Sequence, residues 1–392
     1  MSVEELSPVS PEAPGGASPD LGIGLCLSGG GYRAMLFHLG VLWRLAELGY
    51  LSSADRTGKH GPIGTLQRVS SVSGGSIVAG VLGLAWNELK VDDADLPERF
   101  RRLVVNPVEQ FASRTTVSIW SAAISALVSS VNKSLTRNYQ RRLYGKKTLQ
   151  DFPDSPHFVI NATNLQSGAL WRFSKPYTRD WRVGEIRNPT DTIAKVVGAS
   201  SAFPPFLSPA RFKYDESQYT PGSGMGLQMP PYTTRPALSD GGVYDNLGLE
   251  TVFKNFQTVI VSNAGGQYRP KKKIIGDWIL QSYRVMNTID NQVRSLRKRV
   301  LISSLASLDK YGAYWSIRSD ISGYPAEGKL PCPHEQTREL ADIPTDLAAK
   351  DKTTQRRLIN WGYAICDAGI RSWVEDGLLP PNDFPYPNER VG

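Results

Sequence analysis

Short apolar runs that end in glycine alternate along the first two thirds of the chain with segments of helical periodicity. The run "GIGLCLS" ends at three glycines (29–31), and apolar residues then recur at helical spacing over 35–46. The pattern repeats with a strand over 66–72 and a buried helix over 77–86. Strand, glycine turn and helix form the repeating unit of an α/β sheet, so the pattern predicts an α/β fold.

Further elements of the same kind follow. The stretches "HFVINATNL" and "LWRFS" are typical of two strands joined by a turn, and 258–266 predicts another buried strand that ends in glycines. A helix over about 192–201 is ended by "FPP", because proline cannot continue a helix. Residues 215–237, rich in Gly, Pro, Tyr and Thr, predict a long loop. We find neither an internal repeat nor a linker, so we expect one domain over 21–392.

Helical decorations are expected at about 100–150 and 275–305, with a helical extension at the C-terminus. In the first, apolar residues recur at helical spacing over 117–131, as in a lid, a membrane-contacting surface or an interior helix. In the second, a seven-residue repeat of apolar residues is separated by polar and basic ones. Its members are Ile279, Met286, Ile289, Val293, Leu296 and Val300.

The N-terminal segment and the cysteines bear on the cellular compartment of the protein. Residues 1–20 are rich in Pro, Ser, Gly and acids and lack a basic start and apolar run, so we expect a disordered tail rather than a signal peptide. No apolar stretch reaches the roughly 20 residues needed to span a bilayer. Three scattered cysteines are too few for a disulfide framework or a zinc site. A reducing, cytoplasmic location is the simplest interpretation.

The net charge of +8 favours an anionic partner such as a lipid surface. The basic residues lack the dense patterning of a dedicated nucleic-acid binder, so we expect no nucleic acid polymer. The basic runs at 269–273 and 294–299 suit either anionic lipid headgroups or an ordinary solvated surface.

The stretch "SVSGG" is nearly the G-x-S-x-G pattern of a nucleophile elbow. Such a turn between strand and helix exposes a serine hydroxyl beside a helix N-terminus, which favours developing negative charge. Ser73 is the central serine, followed by Gly74 and Gly75, and Ser71 occupies the first glycine position. Alone, the stretch is equally compatible with an ordinary turn of small residues.

The glycine turn "SGGGYRA" offers backbone amides to an anion. Gly29, Gly30 and Gly31 suit an oxyanion hole, whereas the lysine and spacing of a nucleotide-binding P-loop are missing. Arg33 follows directly and is a candidate to hold a substrate phosphate through a forked contact, with a surface salt bridge as the alternative.

A base for the serine is less obvious. A Ser-Asp-His triad needs a late histidine, and His334 lies in the proline-broken stretch "LPCPHEQT". His38 suits a packed helix position better. Asp240, in "SDGG", is another candidate base, because a partly desolvated carboxylate within hydrogen-bonding reach can accept the proton.

These stretches together resemble the patatin-like phospholipase family, in particular its bacterial members. The family's glycine-rich loop, serine elbow and DG[GA] aspartate occur here in order at 29–33, 71–75 and 240–242. The stretches "INATNLQSGALWRF", "ASSAFPPF" and "NAGG" are also similar to it. One departure is Ser71 in place of glycine, a position at which the animal cytosolic phospholipase branch also varies.

The resemblance implies a three-layer α/β fold related to the α/β-hydrolases, with a mainly parallel sheet flanked by helices. It also implies a dyad of Ser73 as nucleophile and Asp240 as base, without histidine, and an oxyanion hole at Gly29, Gly30 and Gly31. The implied activity is calcium-independent hydrolysis of carboxyl ester bonds in membrane glycerophospholipids, without a metal or other cofactor. The enzyme would then contact the inner membrane surface transiently as a peripheral protein.

Three alternatives stay open from the sequence. The first is a serine esterase whose triad includes His334. The second is a phosphate or nucleotide sensor without catalysis. The third is a phospholipase of antiviral defence that is activated by a cyclic nucleotide, and a homo-oligomer is compatible with each.

Overall fold

A computed structural model describes residues 19–89, 95–115, 128–205, 207–268 and 276–391, together with residues 270, 272 and 274. The predicted tail up to residue 18, the predicted helix from 117 to 127 and most of the basic run 269–273 lie outside the described residues.

Strands occupy the positions that the apolar runs predict. Within the described residues they are β1 (Asp20–Leu27), β2 (Arg56–Gly58), β3 (Gly61–Gly64), β4 (Leu66–Ser71), β5 (His157–Asn164), β6 (Leu170–Phe173), β7 (Tyr177–Asp180), β8 (Gly184–Arg187), β9 (Ala210–Arg211), β10 (Ala237–Asp240), β11 (Phe256–Asn263) and β12 (Tyr311–Ser316). All except the β2–β3 hairpin join one sheet with the main order β12-β11-β1-β4-β5-β6-β7-β8. Strand β10 pairs with β5 and with β9.

The helices fill the segments between these strands. Within the described residues they are α1 (Gly31–Glu47), α2 (Gly74–Leu89), α3 (Leu96–Phe100), α4 (Asn106–Ala112), α5 (Val128–Tyr139), α6 (Ile193–Ser200), α7 (Gly242–Asp245), α8 (Glu250–Phe253), α9 (Trp278–Ala306), α10 (His334–Asp342) and α11 (Lys352–Trp373). Two π-helical turns, Arg101–Val105 and Gln140–Tyr144, extend the first helical decoration. None of the described helices is both long enough and apolar enough to cross a membrane.

One half of the sheet is parallel and the other half is antiparallel. Strands β12, β11, β1, β4 and β5 run parallel, whereas β5 to β8 and β10 pair antiparallel. Leu27, at the end of β1, lies in register with Ser71 of β4 and with Ser262 of β11. The loops that follow these three strands therefore meet at one edge of the sheet, where open α/β sheets bind their ligands.

Helices cover both faces of the sheet. Side chains alternate between faces along each strand, so Leu25 and Leu27 join the large core while Cys26 between them joins a smaller core on the other face. The large core includes α1, α2 and α11, and the smaller includes residues of α8 and Leu301 of α9. This arrangement confirms the predicted three-layer α/β fold.

The C-terminal third belongs to the same folded unit. Strand β12 extends the parallel part of the sheet, and α11 crosses α1 at close range. A Cβ added at Gly40 would lie 1.9 Å from the carbonyl oxygen of Ile359, and one at Gly362 would lie 1.9 Å from that of Phe37. The two backbones therefore touch at a crossing that only glycine permits.

The predicted elements agree with the structure to within a few residues. The strand predicted over 66–72 ends at Ser71, and the helix predicted over 77–86 begins earlier, at Gly74. The predicted loop over 215–237 contains one short 3₁₀ helix, Glu216–Gln218, before β10 begins at Ala237.

Candidate active site

Ser73 occupies a strained turn between a strand and a helix. Its φ of 50° lies in the left-handed region, which costs a non-glycine residue about 1–3 kcal/mol and persists only where the surroundings enforce it. Strand β4 ends two residues before Ser73, and α2 begins directly after it at Gly74. The turn thus holds a serine at the N-terminus of a helix, where negative charge is favoured.

The glycine loop after β1 presses against this turn. A Cβ at Gly74 would lie 2.2 Å from the carbonyl oxygen of Gly31, and one at Gly75 would lie 2.4 Å from that of Leu27. Contacts this short with backbone atoms exclude any side chain at Gly74 and Gly75. The sequence-predicted loop and elbow therefore form one compact unit.

A chain of buried hydroxyl groups supports the elbow from below. Ser76 Oγ lies 3.1 Å from Ser71 Oγ and 2.9 Å from Ser200 Oγ. The backbone N–H of Ser73 donates to Ser200 Oγ at 2.9 Å. Ser71 is fully buried, so the serine that replaces the usual glycine carries its hydroxyl away from solvent and into this chain.

Asp240 ends β10 next to the elbow and is buried, with 3% of its surface exposed. The Ser73 hydroxyl lies close enough to the Asp240 carboxylate to lower its pKa. The backbone N–H of Gly242 donates to Asp240 Oδ1 at 2.7 Å. Thr163 Oγ1 donates to the Asp240 carbonyl oxygen at 2.8 Å and fixes the end of the strand.

The environment of Asp240 favours a carboxylate that can take up a proton. Burial raises the pKa of Asp240 to about 7, against the hydrogen bonds from Gly242 and Ser73, which lower it. The negative charge of Asp290, on α9, raises it further. A carboxylate with a pKa near neutrality is suited to general-base catalysis at physiological pH.

The three loop glycines differ in the use of their amides. Gly29 N–H donates to the carbonyl oxygen of Asn246 at 3.1 Å. The N–H groups of Gly30 and Gly31 have no acceptor among the described residues. Gly31 has a φ of 63°, which glycine adopts readily. The loop therefore holds two amides available to an anion next to Ser73.

The guanidinium of Arg33 is buried among backbone carbonyl groups. Arg33 is 2% exposed, and its guanidinium donates to the carbonyl oxygens of Ile343 (2.5 Å), Ala264 (2.9 Å) and Ala341 (3.2 Å). Ala264 directly follows β11, Ala341 lies in the last turn of α10, and Ile343 directly follows that helix. The geometry therefore favours a bracing role between two distant segments over the predicted binding of a substrate phosphate.

The four histidines all lie within the described residues and none contacts Ser73 or Asp240. His38 is buried, where its ring bonds to Ser262 Oγ and the Ser28 carbonyl, and burial lowers its pKa to about 3. His60 stacks on Tyr311 at 5.2 Å, and His157 begins β5. His334 is exposed at the first position of α10.

Several residues of the site were not predicted from the sequence. Ser200 lies in "ASSAFPPF" and Asn161 lies in "INATNLQSGALWRF", two stretches that resemble the family but assign no role to these side chains. Asn161 Nδ2 donates to Ser70 Oγ at 2.9 Å and to the Ser71 carbonyl at 3.0 Å, so it fixes the end of β4. The backbone carbonyl oxygen of Asn246 accepts the Gly29 amide.

A glycine loop, a strained serine and a buried aspartate, in this order along the chain, suit an esterase. The sequence model of the family "Patatin-like phospholipase" matches residues 25–253, more than half of the chain and the whole of this site. The chain belongs to this family. Membership supports a hydrolase that acts on lipids.

Comparison with solved structures gives distant patatin-like and phospholipase folds. Human GIVD cytosolic phospholipase A2 is 14% identical at a TM-score of 0.36, over 62% of this chain and 45% of that protein. Its complex with methyl γ-linolenyl fluorophosphonate is 12% identical at a TM-score of 0.44, over 88% of this chain and 58% of that one. VipD from Legionella pneumophila is 15% identical at a TM-score of 0.33, over 88% of this chain and 66% of VipD.

The chain thus spans less than half of the human enzyme in the first of these alignments. No curated protein matches the sequence.

Proposed function

We propose that this patatin-like protein is a phospholipase A-type lipid acyl hydrolase that cleaves carboxyl ester bonds of membrane glycerophospholipids. The observation that carries the proposal is the position of Ser73, on its strained turn, beside the buried carboxylate of Asp240, whose pKa it lowers. Ser73 is the nucleophile and Asp240 the general base of a two-residue machinery.

In the first half-reaction Ser73 Oγ attacks the ester carbonyl carbon and passes its proton to Asp240. The carbonyl oxygen becomes an oxyanion, which the N–H groups of Gly30 and Gly31 stabilise beside the N-terminus of α2. Gly29 supports the loop through its bond to Asn246 rather than donating to the oxyanion. When the intermediate collapses, the ester C–O bond breaks, and Asp240 returns the proton to the leaving lysophospholipid oxygen.

In the second half-reaction water releases the acyl group from Ser73. Asp240 takes a proton from the water, and the hydroxide oxygen attacks the acyl-enzyme carbonyl. The tetrahedral intermediate collapses, and Ser73 recovers its proton from Asp240 as the fatty acid leaves. Every proton in this cycle moves between Ser73, Asp240, substrate and water, so we propose a calcium-independent enzyme.

Apolar side chains near the dyad suit an acyl chain. Phe203 is 48% exposed and Val243 is 47% exposed. Both lie close to Asp240, since the Asp240 N–H donates to Ala202 O at 2.9 Å and Val243 follows three residues after Asp240. Exposed apolar groups at the mouth of a site favour a substrate with a long hydrocarbon chain. We therefore place the enzyme at the cytoplasmic membrane surface, as a peripheral protein.

The geometry does not support the triad that includes His334. That side chain is exposed at the first position of α10 and contacts neither Ser73 nor Asp240. The dyad accounts for the base without it.

Product analysis tests the proposal. Vesicles of mixed glycerophospholipids are incubated with the full-length chain, and fatty acids and lysophospholipids are quantified by mass spectrometry. We expect stoichiometric release of both by the wild type and by His334→Ala, and a loss of at least about a thousandfold in Ser73→Ala and Asp240→Asn. Normal release by folded Ser73→Ala would overturn the dyad, and loss of activity in His334→Ala would restore the triad.

A further inference from the structure

Helix α9 turns its charged face toward the protein. Arg294 donates to the carbonyl oxygen of Gly266 at 2.9 Å and pairs with Asp290 at 2.8 Å. Arg297 pairs with Glu250 at 3.0 Å. In an ordinary surface helix the face toward the protein is apolar, so the polarity of α9 is inverted over these residues.

The outer face of α9 is apolar instead. Apolar residues follow one another there at alternating spacings of three and four, and each is exposed. They are Met286 (55%), Ile289 (55%), Val293 (38%), Leu296 (49%) and Val300 (55%). We call these five residues the outer stripe. An apolar surface this continuous on a protein marks an interaction site.

The spacing of the outer stripe identifies the kind of partner. Alternation of three and four residues over two heptads is the a/d pattern of a coiled-coil seam, which packs knobs into holes of a facing helix. A helix that lies on a bilayer instead has a broad apolar face with Lys and Arg along its edges. At 100° per residue, Asp290 and Arg297 border the stripe on one side and Gln292 and Arg299 on the other, while Lys298 and Arg284 lie on the far side of α9. The edges therefore combine acidic, neutral and basic residues, as the e and g positions of a coiled coil do.

We propose that the outer stripe pairs with the same stripe of a second copy of this chain, in antiparallel orientation. A single self-complementary surface then closes a two-fold dimer. The inference rests on α9 alone and is independent of the proposed activity.

The heptad fixes the register of the pair. In an antiparallel coiled coil a and d positions meet, so Val293 packs against Leu296 of the second copy and Ile289 against its Val300. Asp290 then borders Arg297 of the second copy, and Gln292 borders its Arg299. A parallel pair would place Asp290 beside the apolar Val285 and gather the arginines of both copies at one end, so charge complementarity favours the antiparallel pair.

Sedimentation of the full-length chain tests the pairing. We expect the wild type to sediment at twice the chain mass of 43.1 kDa. Ile289→Lys/Leu296→Lys should weaken the dimer by at least about a hundredfold, because four lysines would enter an apolar seam. The matched control is Ile302→Lys, since Ile302 is 44% exposed on the same helix but lies off the stripe. It should leave the dimer intact, and circular dichroism verifies the fold of each variant.

Cysteine cross-linking tests the register. The three native cysteines are buried, so introduced thiols react alone. A mixture of Ile289→Cys and Val300→Cys chains should form the mixed disulfide under mild oxidation, and Ile289→Cys alone should not cross-link. Efficient cross-linking of Ile289→Cys to itself would overturn the antiparallel arrangement.

Three results would overturn the pairing itself. The wild type could sediment as a monomer up to high micromolar concentration. The double lysine variant could remain a dimer, which would assign the contact to another surface. The monomeric wild type could float with anionic phospholipid vesicles while the double variant does not, which would assign the outer stripe to a membrane.

Discussion

The backbone N–H of Ser73 donates a 2.9 Å hydrogen bond to the hydroxyl of Ser200, although 127 residues separate them in the chain. The bond ties the strained elbow to the end of α6, and Ser76 extends it to Ser71. Ser73 is therefore held in its left-handed conformation by side chains from outside its own turn.

Ser200→Ala should lower kcat by about fivefold, because the lost bond is worth about 1 kcal/mol and orients the nucleophile. KM should change little, since the substrate pocket is unaltered. Ser239→Ala is the matched control, because Ser239 is also fully buried but donates to Ala202 O. Steady-state ester hydrolysis and thermal unfolding separate the effects. Equal kcat in both variants would contradict the positioning role of Ser200.

Ser71→Gly restores the residue that the elbow pattern usually has. We expect it to lower the free energy of unfolding by about 1 kcal/mol, because glycine in a strand costs entropy and a buried hydroxyl is lost. Turnover should stay close to that of the wild type, because Ser71 Oγ faces the buried hydroxyl chain. Urea unfolding and ester hydrolysis measure the two quantities. Abolished turnover in a folded Ser71→Gly protein would assign Ser71 a part in the chemistry.

The raised pKa of Asp240 predicts the pH dependence of activity. The base must be ionised, so kcat/KM should rise as the pH rises through about 7 and fall about tenfold per unit below it. Asp290→Asn removes a negative charge that raises this pKa, so the acid limb should move to lower pH. Asp277→Asn removes the same charge just before α9 and serves as the control. If the acid limb of the pH profile does not move in Asp290→Asn, Asp290 does not raise the pKa of Asp240.

Arg33→Gln should act through stability. The variant loses charge-assisted bonds to Ala264 and Ile343, and we expect the free energy of unfolding to fall by about 3 kcal/mol. A bracing residue should affect kcat/KM for a glycerophospholipid and for a phosphate-free acyl ester by the same factor. A selective rise in KM for the phospholipid alone would return Arg33 to the role of a phosphate ligand.

The loops of the candidate site were predictable because each is local in sequence. Apolar runs indicated where β1, β4 and β11 end, and the order of motifs suggested Asp240 as the base. The partners of these loops were not predictable in the same way. Ser200 reaches Ser73 across the sheet, and Asn246 reaches Gly29 from another loop, so only the folded chain brings them together.

Arg33 shows how distant segments shape a residue's role. Next to a glycine loop, an arginine suggests an anion ligand, but Ala341 and Ile343 approach it from more than 300 residues away. The packing of the C-terminal third against α1 could not be predicted for the same reason. Its contact with α1 depends on Gly362 meeting the backbone of Phe37, a relationship that no single stretch contains.

Covalent labelling of the nucleophile tests the central claim most directly. The wild-type chain is treated with a long-chain acyl fluorophosphonate, digested and analysed by peptide mass spectrometry. The dyad predicts one adduct on Ser73, with labelling slowed strongly in Asp240→Asn and unchanged in His334→Ala. An adduct on another residue, or phospholipid hydrolysis that continues with Ser73 unmodified and the inhibitor in excess, would contradict the account.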